Sequence, residues 1–366
     1  MNERAAFVAL ALTPGIGSAR FATLLSACET PSGALAAPLA FLRSLSGMSV
    51  AAASAVRARS VHDGERVLEA AEQAGATVLT LLDPDYPESL RSIVEPPPVL
   101  FLTGRTELLR RPAVAVVGSR DHTPYGAQVC TMVAAGAARA GLAVVSGMAR
   151  GLDAVAHSAA LDAGGTTIGV LGNGIGVIYP AANRELYERL ATDGLLLTEF
   201  PPGERPTIGS FPRRNRLISG LARVTVVVEA APGSGALITA ANALEQGREV
   251  MAVPGPITAA TSGGTNALIR DGAHPLLELN DLFQFYAEAL PVSAPSARVA
   301  APRQLPLDLD PAERAVAELL ADDDRQLDML ADQAGRSVGD VLSLLASLEI
   351  QGLVERRPGN VFRMRA

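Results

Sequence analysis

Ala113-Val114-Ala115-Val116-Val117-Gly118-Ser119-Arg120 decides the fold of this chain. Five small or β-branched apolar residues with no polar one among them read as a strand buried on both faces. A helix is expected next, from about Pro124 to Ala140. A second apolar strand, 143–145, then ends in Ser146-Gly147-Met148-Ala149-Arg150-Gly151 ahead of a helix from about Asp153. Further along, 167–171 ends in Gly172-Asn173-Gly174 and 195–199 ends at Pro201-Pro202-Gly203. Segment 224–229 ends in Ala231-Pro232-Gly233-Ser234-Gly235 before a helix over 237–246, and 249–253 ends in Pro254-Gly255-Pro256. Strands alternating with helices, each strand closed by a Gly- or Pro-rich turn, predict an α/β fold. Its core is a doubly wound, mostly parallel, Rossmann-like sheet with helices on both faces.

Before this pattern, residues 5–27 carry helical apolar spacing broken at Thr13-Pro14-Gly15-Ile16-Gly17. Helix, Pro-Gly-Ile-Gly, helix has the form of a helix-hairpin-helix, whose backbone N–H groups can hold a phosphate. An ordinary tight turn between two core helices fits the same residues. Ala-rich helices continue through 33–60 and 62–75, so 1–80 is expected as a helical (helix-hairpin-helix or SAM-like) domain. Short strands at 77–82 and 99–102 flank the Pro-dense segments Asp83-Pro84-Asp85-Tyr86-Pro87 and Glu95-Pro96-Pro97-Pro98, which connect domains and edge strands. The α/β domain is expected over 81–290, a Pro/Ala/Ser linker over 291–304, and a winged helix over 305–366. In that last domain 311–321, 326–334 and 337–351 read as helices and 352–364 as a two-stranded wing. The helix placed to read DNA, 337–350, has no Arg, Asn or Gln, the side chains that address base edges. A partner-binding or dimer role is therefore favoured for it.

With 366 residues, 48% of them apolar, the chain can bury a large core. No run of eighteen apolar residues suggests a membrane span, and no basic start with an apolar stretch suggests a signal peptide. Cys28 and Cys130 stand far apart without metal-ligand spacing, as reduced core residues of a cytoplasmic protein would. The chain has no lysine; all 31 basic residues are arginine, and the net charge is −7. That balance excludes a protein that coats nucleic acid with its whole surface. An anion site must be local.

The strongest candidate is Phe211-Pro212-Arg213-Arg214-Asn215-Arg216, flanked by turn signals at Pro201-Pro202-Gly203 and Ser219-Gly220. Three arginines beside an aromatic ring suit a phosphate backbone with an exposed base. The same residues also fit a solvated, Arg-rich helix start with Phe211 in the core, and arginines paired with Glu199 or Glu229. In doubly wound sheets ligands bind outside the carboxyl ends of the strands. Gly118, Ser119, Arg120, Ser146, Gly147, Arg150, Ser234 and Gly235 are expected on that edge together with Phe211, Arg213, Arg214, Asn215 and Arg216. Glycines there admit close backbone approach, and the helix N-termini that follow offer unpaired N–H groups to an anion. Asn215 could bond a base or phosphate, or cap a helix. Asp153 and His157 share a helical face; with no third ligand nearby, a structural role is favoured. Ser119, Ser146 and Ser234 lack a Gly-x-Ser-x-Gly setting and a His/Asp partner. No turn is a dinucleotide fingerprint or a phosphate loop, which would need lysine. No cofactor, metal or catalytic residue is expected.

An ordered set of motifs over about 80–290 resembles the DNA-processing protein A (DprA/Smf) family. It comprises Asp85-Tyr86-Pro87, Val116 to Arg120 with Tyr125-Gly126, Ser146 to Asp153 with His157, Tyr179-Pro180, Phe211 to Arg216, Ser234-Gly235 and Pro254-Gly255. Arg150 departs from the family, where lysine is common; arginine keeps the charge with a different fork. The resemblance implies a cytoplasmic, non-enzymatic protein that binds single-stranded DNA, and double-stranded DNA more weakly. It also implies loading of a RecA-class recombinase in natural transformation or recombination, and a homodimer built on the α/β domain. A rival reading is an enzyme of the nucleoside-monophosphate phosphoribohydrolase kind, because Pro232-Gly233-Ser234-Gly235-Ala236 with Glu245 partly matches its glutamate motif.

Overall fold

The computed structural model describes residues 2–289, 309–320, 325–357 and 360–364; the expected linker, 291–304, lies outside them. The chain forms two compact units, 1–292 and 293–366.

In the first unit nine strands make one sheet: β1 (Thr77–Thr80), β2 (Val99–Gly104), β3 (Ala113–Val117), β4 (Ala143–Ser146), β5 (Thr166–Val170), β6 (Leu195–Thr198), β7 (Val224–Val227), β8 (Glu249–Ala252) and β9 (His274–Pro275). Their order is β1-β2-β6-β5-β4-β3-β7-β8-β9. From β6 to β9 all pairs are parallel; β1 and β2 are antiparallel additions at one edge. Alternate residues of β3 feed opposite faces, as the period of a strand requires. Val114 and Val116 pack with Cys130, Val133, Leu152 and Ala156 of the helices Pro124–Arg139 and Leu152–Asp162. Ala115 and Val117 pack with Leu217, Ile218, Ala236 and Ala240 of the helices Ser210–Leu221 and Gly235–Glu245. The sheet is thus doubly wound.

Six helices precede it, from Glu3–Ala11 to Val61–Gln73. Gly64 lets the last cross the first, because a Cβ there would lie 1.8 Å from the Ala5 carbonyl oxygen. Their core around Phe7, Leu10, Phe21 and Leu24 continues into Phe101 and Leu196 of the sheet. The helical segment and the sheet therefore share one core, and β1, expected with the helices in 1–80, belongs to the sheet.

Ser219-Gly220, expected as a turn, lies inside the helix Ser210–Leu221. A Cβ on Gly220 would sit 2.9 Å from Leu90 Cδ2, so this glycine serves close packing rather than chain reversal. The helices Arg184–Asp193 and Gly263–Arg270 and strand β9 add to the expected elements. In the second unit the helices Pro311–Leu319, Leu327–Ala334 and Val338–Ile350 close on Val316, Leu330, Val341 and Leu345. The strands Val354–Arg357 and Val361–Met364 form the wing, joined by a third of two residues, Arg325–Gln326.

Candidate nucleic-acid interface

From β3 the chain winds outward through β4, β5 and β6; the helix Ser210–Leu221 then carries it back to β7 on the other side of β3. The strand order reverses between β3 and β7, where such sheets open a crevice at their carboxyl edge. A cleft of about 710 Å³ lies there. One wall is Gly118-Ser119-Arg120, the other 231–236, and the floor includes Phe211, Arg214 and Asn215. A smaller cleft of about 300 Å³ shares Arg120, Ala149, Tyr179, Phe211 and Arg214 with it and extends to Arg150 and Gly172-Asn173.

Arg214 is the buried cation of this region, only 4% exposed. Its Nη1 donates to the carbonyls of Gly147 and Val170, and its Nε donates to Asn215 Oδ1 at 3.2 Å. Gly147 must be glycine beneath it, since a Cβ would come within 2.6 Å of Asp153 Oδ2 and 2.7 Å of Arg214 Nη1. Burial lowers the Arg214 pKa to about 10, against the pull of the Asp153 carboxylate, which leaves it cationic at neutral pH. Burial raises the Asp153 pKa, and Arg214 opposes that rise.

Asp153 and His157 take separate structural bonds. Asp153 accepts from the Ala149 N–H at 3.3 Å. Thr167 Oγ1 donates to the Val144 carbonyl at 2.6 Å, so it accepts from His157 Nδ1, also at 2.6 Å. His157 Nε2 is buried without a partner. Burial, reinforced by Arg214, drives the His157 pKa down to about 3. The ring is neutral.

The arginine cluster divides. Each helical residue advances about 100°, so Phe211, Arg214, Asn215 and Ile218 face the cleft while Arg213 and Arg216 turn away from it. Arg213 Nη2 and Arg216 Nη2 both donate to Glu199 Oε2, at 2.8 and 2.7 Å, and Arg216 also donates to the Glu95 carbonyl at 2.7 Å. They line a separate cleft of about 380 Å³ facing the hairpin 13–18. The expectation that all five arginines share one rim is corrected: Arg120, Arg150 and Arg214 do, and Arg213 and Arg216 do not. Among the described residues Glu229 pairs with no arginine; it accepts from the N–H and hydroxyl of Thr123, the N-cap of the helix Pro124–Arg139.

Ser146 also departs from expectation. It is fully buried and its hydroxyl donates to the Val116 carbonyl at 2.7 Å, stapling β4 to β3 rather than facing the cleft. Asn215 Nδ2 donates to the Gly235 carbonyl at 3.2 Å, a tie between the helix and the wall rather than a cap. Ser119 shapes its turn through Asp121, its Oγ donating to the carbonyl at 2.8 Å. Ser234 caps the helix Gly235–Glu245 by accepting from the Ala236 N–H. Gly118 clears Leu152, whose Cδ1 would lie 2.4 Å from a Cβ. Arg120 and Arg150 are exposed; a loose pair of Arg150 with Asp121 at 3.7 Å, both side chains mostly in water, holds little.

Phe211 lies against the Gly172 turn, where a Cβ would sit 2.9 Å from its ring. The Arg120 guanidinium stands 5.8 Å from its centroid and the Tyr179 ring 5.6 Å away. Tyr179 was not among the residues expected at the site, although Tyr179-Pro180 is one of the motifs that carry the family resemblance. Ile208, 93% exposed on the cleft rim, was also missed.

Residues 77–287 match the family described as DNA recombination-mediator protein A, and residues 300–360 match the DprA winged helix domain. Protein Smf from Synechocystis is 36% identical over 329 residues, covering 81% of this chain and 82% of that one. The X-ray structure of DNA processing protein A from Streptococcus pneumoniae is similar with a TM-score of 0.68 and 33% identity, over 80% of this chain and 99% of that one. DNA processing protein A from Helicobacter pylori, whose structure is described for its single-stranded DNA binding mode, is similar with a TM-score of 0.54 and 30% identity, over 60% of this chain and 99% of that one. The shared sheet, the winged helix and the sequence identity lead to one conclusion: this chain belongs to the DNA-processing protein A (DprA/Smf) family.

Proposed function

We propose that the chain is a non-enzymatic single-stranded DNA-binding protein whose grip lies in the switch-point cleft. The supporting observation is the convergence there of Arg120, Arg150 and Arg214 with the Gly-rich turns at 118–120, 147–151 and 231–235 and the partly buried Phe211 ring. Arg120 and Arg150 contact phosphates from solvent. Arg214 supplies a fixed positive potential from beneath, with its Nη2 making no bond to a described residue. Phe211 stacks a base, worth about 1–3 kcal/mol. Base identity matters little, because no side chain in the cleft presents a paired donor and acceptor to a base edge. In this reading the protein works in the cytoplasm as a homodimer on the α/β unit, binds double-stranded DNA more weakly, and presents the strand to a RecA-class recombinase in transformation or recombination.

The test is single-strand affinity as a function of salt for the wild type and Arg120→Ala. Log affinity should fall linearly with log salt, and the variant's slope should be shallower by about one. Arg120 serves better than Arg214 here, because Arg214 also holds the fold. No measurable affinity at about 50 mM salt, where such contacts are strong, would overturn the reading. Faster filament formation by a RecA-class recombinase on a single strand in the protein's presence tests the loading step.

The enzyme reading fares worse on geometry. Glu245 ends the helix that Gly235 begins, which puts it on the order of 15 Å from the loop at about 1.5 Å per residue. Release of free base from nucleoside monophosphates would restore that reading.

A further inference from the structure

We infer that Tyr179 is a second base-stacking platform, so that two successive bases sit on Tyr179 and Phe211 rather than one on Phe211 alone. The inference deepens the single-stranded DNA reading and rests on it.

The chain contains five tyrosines. Four hydroxyls are engaged by protein: Tyr86 donates to Pro97, Tyr125 to Pro254 and Tyr286 to Ala113, and Tyr187 accepts from the Gly176 N–H. Tyr179 is the exception. Its hydroxyl bonds no described residue, and 49% of the residue is open to solvent. Its ring is nevertheless held, 5.6 Å from that of Phe211 at 35° between planes. It borders both the larger and the smaller cleft, so it stands on the ridge between them, beside Arg120 and Phe211. An aromatic face left open beside exposed cations is what an unstacked base requires: every base offers a π-face, and stacking tolerates any of them. The smaller cleft beyond Tyr179, with Arg150 at its mouth, receives the neighbouring nucleotide and its phosphate. The two rings are tilted and do not lie coplanar, so bases resting on each diverge and the strand bends over the ridge.

The chain has no tryptophan, so Tyr179→Trp creates a lone indole reporter at the position in question. Its fluorescence should be quenched by an oligonucleotide at the same concentrations that saturate binding. Tyr179→Ala should lose on the order of tenfold in affinity with an unchanged salt slope, because a neutral ring releases no counterions. Strands carrying one abasic step, moved along the site, should show one position at which Tyr179→Ala makes no further difference and an adjacent one at which Phe211→Ala makes none. Wild-type affinity in Tyr179→Ala, an unquenched indole on a saturated complex, or a single abasic position serving both variants would overturn the inference. Absence of binding by the wild type would instead overturn the DNA reading beneath it.

Discussion

Arg214 and Arg120 carry the same charge in the same cleft yet do different work. Arg214 is buried on two carbonyls above Gly147, near the Asp153 carboxyl. Arg214→Ala leaves the buried Gly147 and Val170 carbonyls without their shared donor, and an unsatisfied buried acceptor costs about 1–3 kcal/mol; urea unfolding should show that loss even without DNA. Arg120 is in water, so Arg120→Ala should leave stability within about 0.5 kcal/mol while weakening DNA binding. His157 gives a pH signature. Its folded pKa of about 3 lies below the ordinary histidine value, so the unfolded chain binds more protons between those values and stability falls as pH drops below about 6.5. Asp153, raised in the fold, acts in the opposite sense at the acid end, and the Arg214 charge persists throughout. Thermal melts of the wild type and His157→Gln from pH 7 to 4 should diverge, the variant's curve being flatter. The sequence showed that Arg213, Arg214 and Arg216 cluster. It could not show which was buried, because that depends on helical phase and on the carbonyls of Gly147, just past β4, and Val170 of β5, far away in the chain.

At the scale of elements, the parallel strands were legible because they are buried on both faces and read as unbroken apolar runs. The helix Ser210–Leu221 was obscured by Pro212 and by Gly220, two residues that usually interrupt helices. Pro212 sits in the first turn, where its missing N–H costs nothing. Gly220 is kept for its contact with Leu90 and Ile93. Gly220→Ala decides between two effects: alanine gains about 1 kcal/mol of helix propensity, while overpacking costs about 1–3 kcal/mol. With Leu90 only 2.9 Å from the added carbon, overpacking should win, for a net loss of about 1 kcal/mol by chemical denaturation. Strand β9, two residues long, and the equally short third strand of the winged unit carry no periodicity for a sequence reading to detect.

On the scale of the molecule, a net charge of −7 coexists with a locally positive cleft. Salt should still weaken binding, but less steeply than the cleft cations alone would give, since screening also relieves the long-range repulsion. The described residues of the winged unit close their own core. Removing 293–366 should leave single-strand affinity nearly intact, measured by titration at constant salt; a large loss would assign that unit to the grip. The organisation into an α/β body and a winged helix was legible from composition and alternation, whereas the merging of the helical segment with the sheet was not, because the shared core joins residues about a hundred positions apart. The division between a buried and two exposed cations has a practical corollary. If the proposed grip holds, its strength can be dialled up or down at Arg120 and Arg150 by single substitutions without eroding foldedness, whereas position 214 admits no such trial. On the proposed reading, engineering of tighter or looser binders has its free parameters at the rim and its constant at the floor.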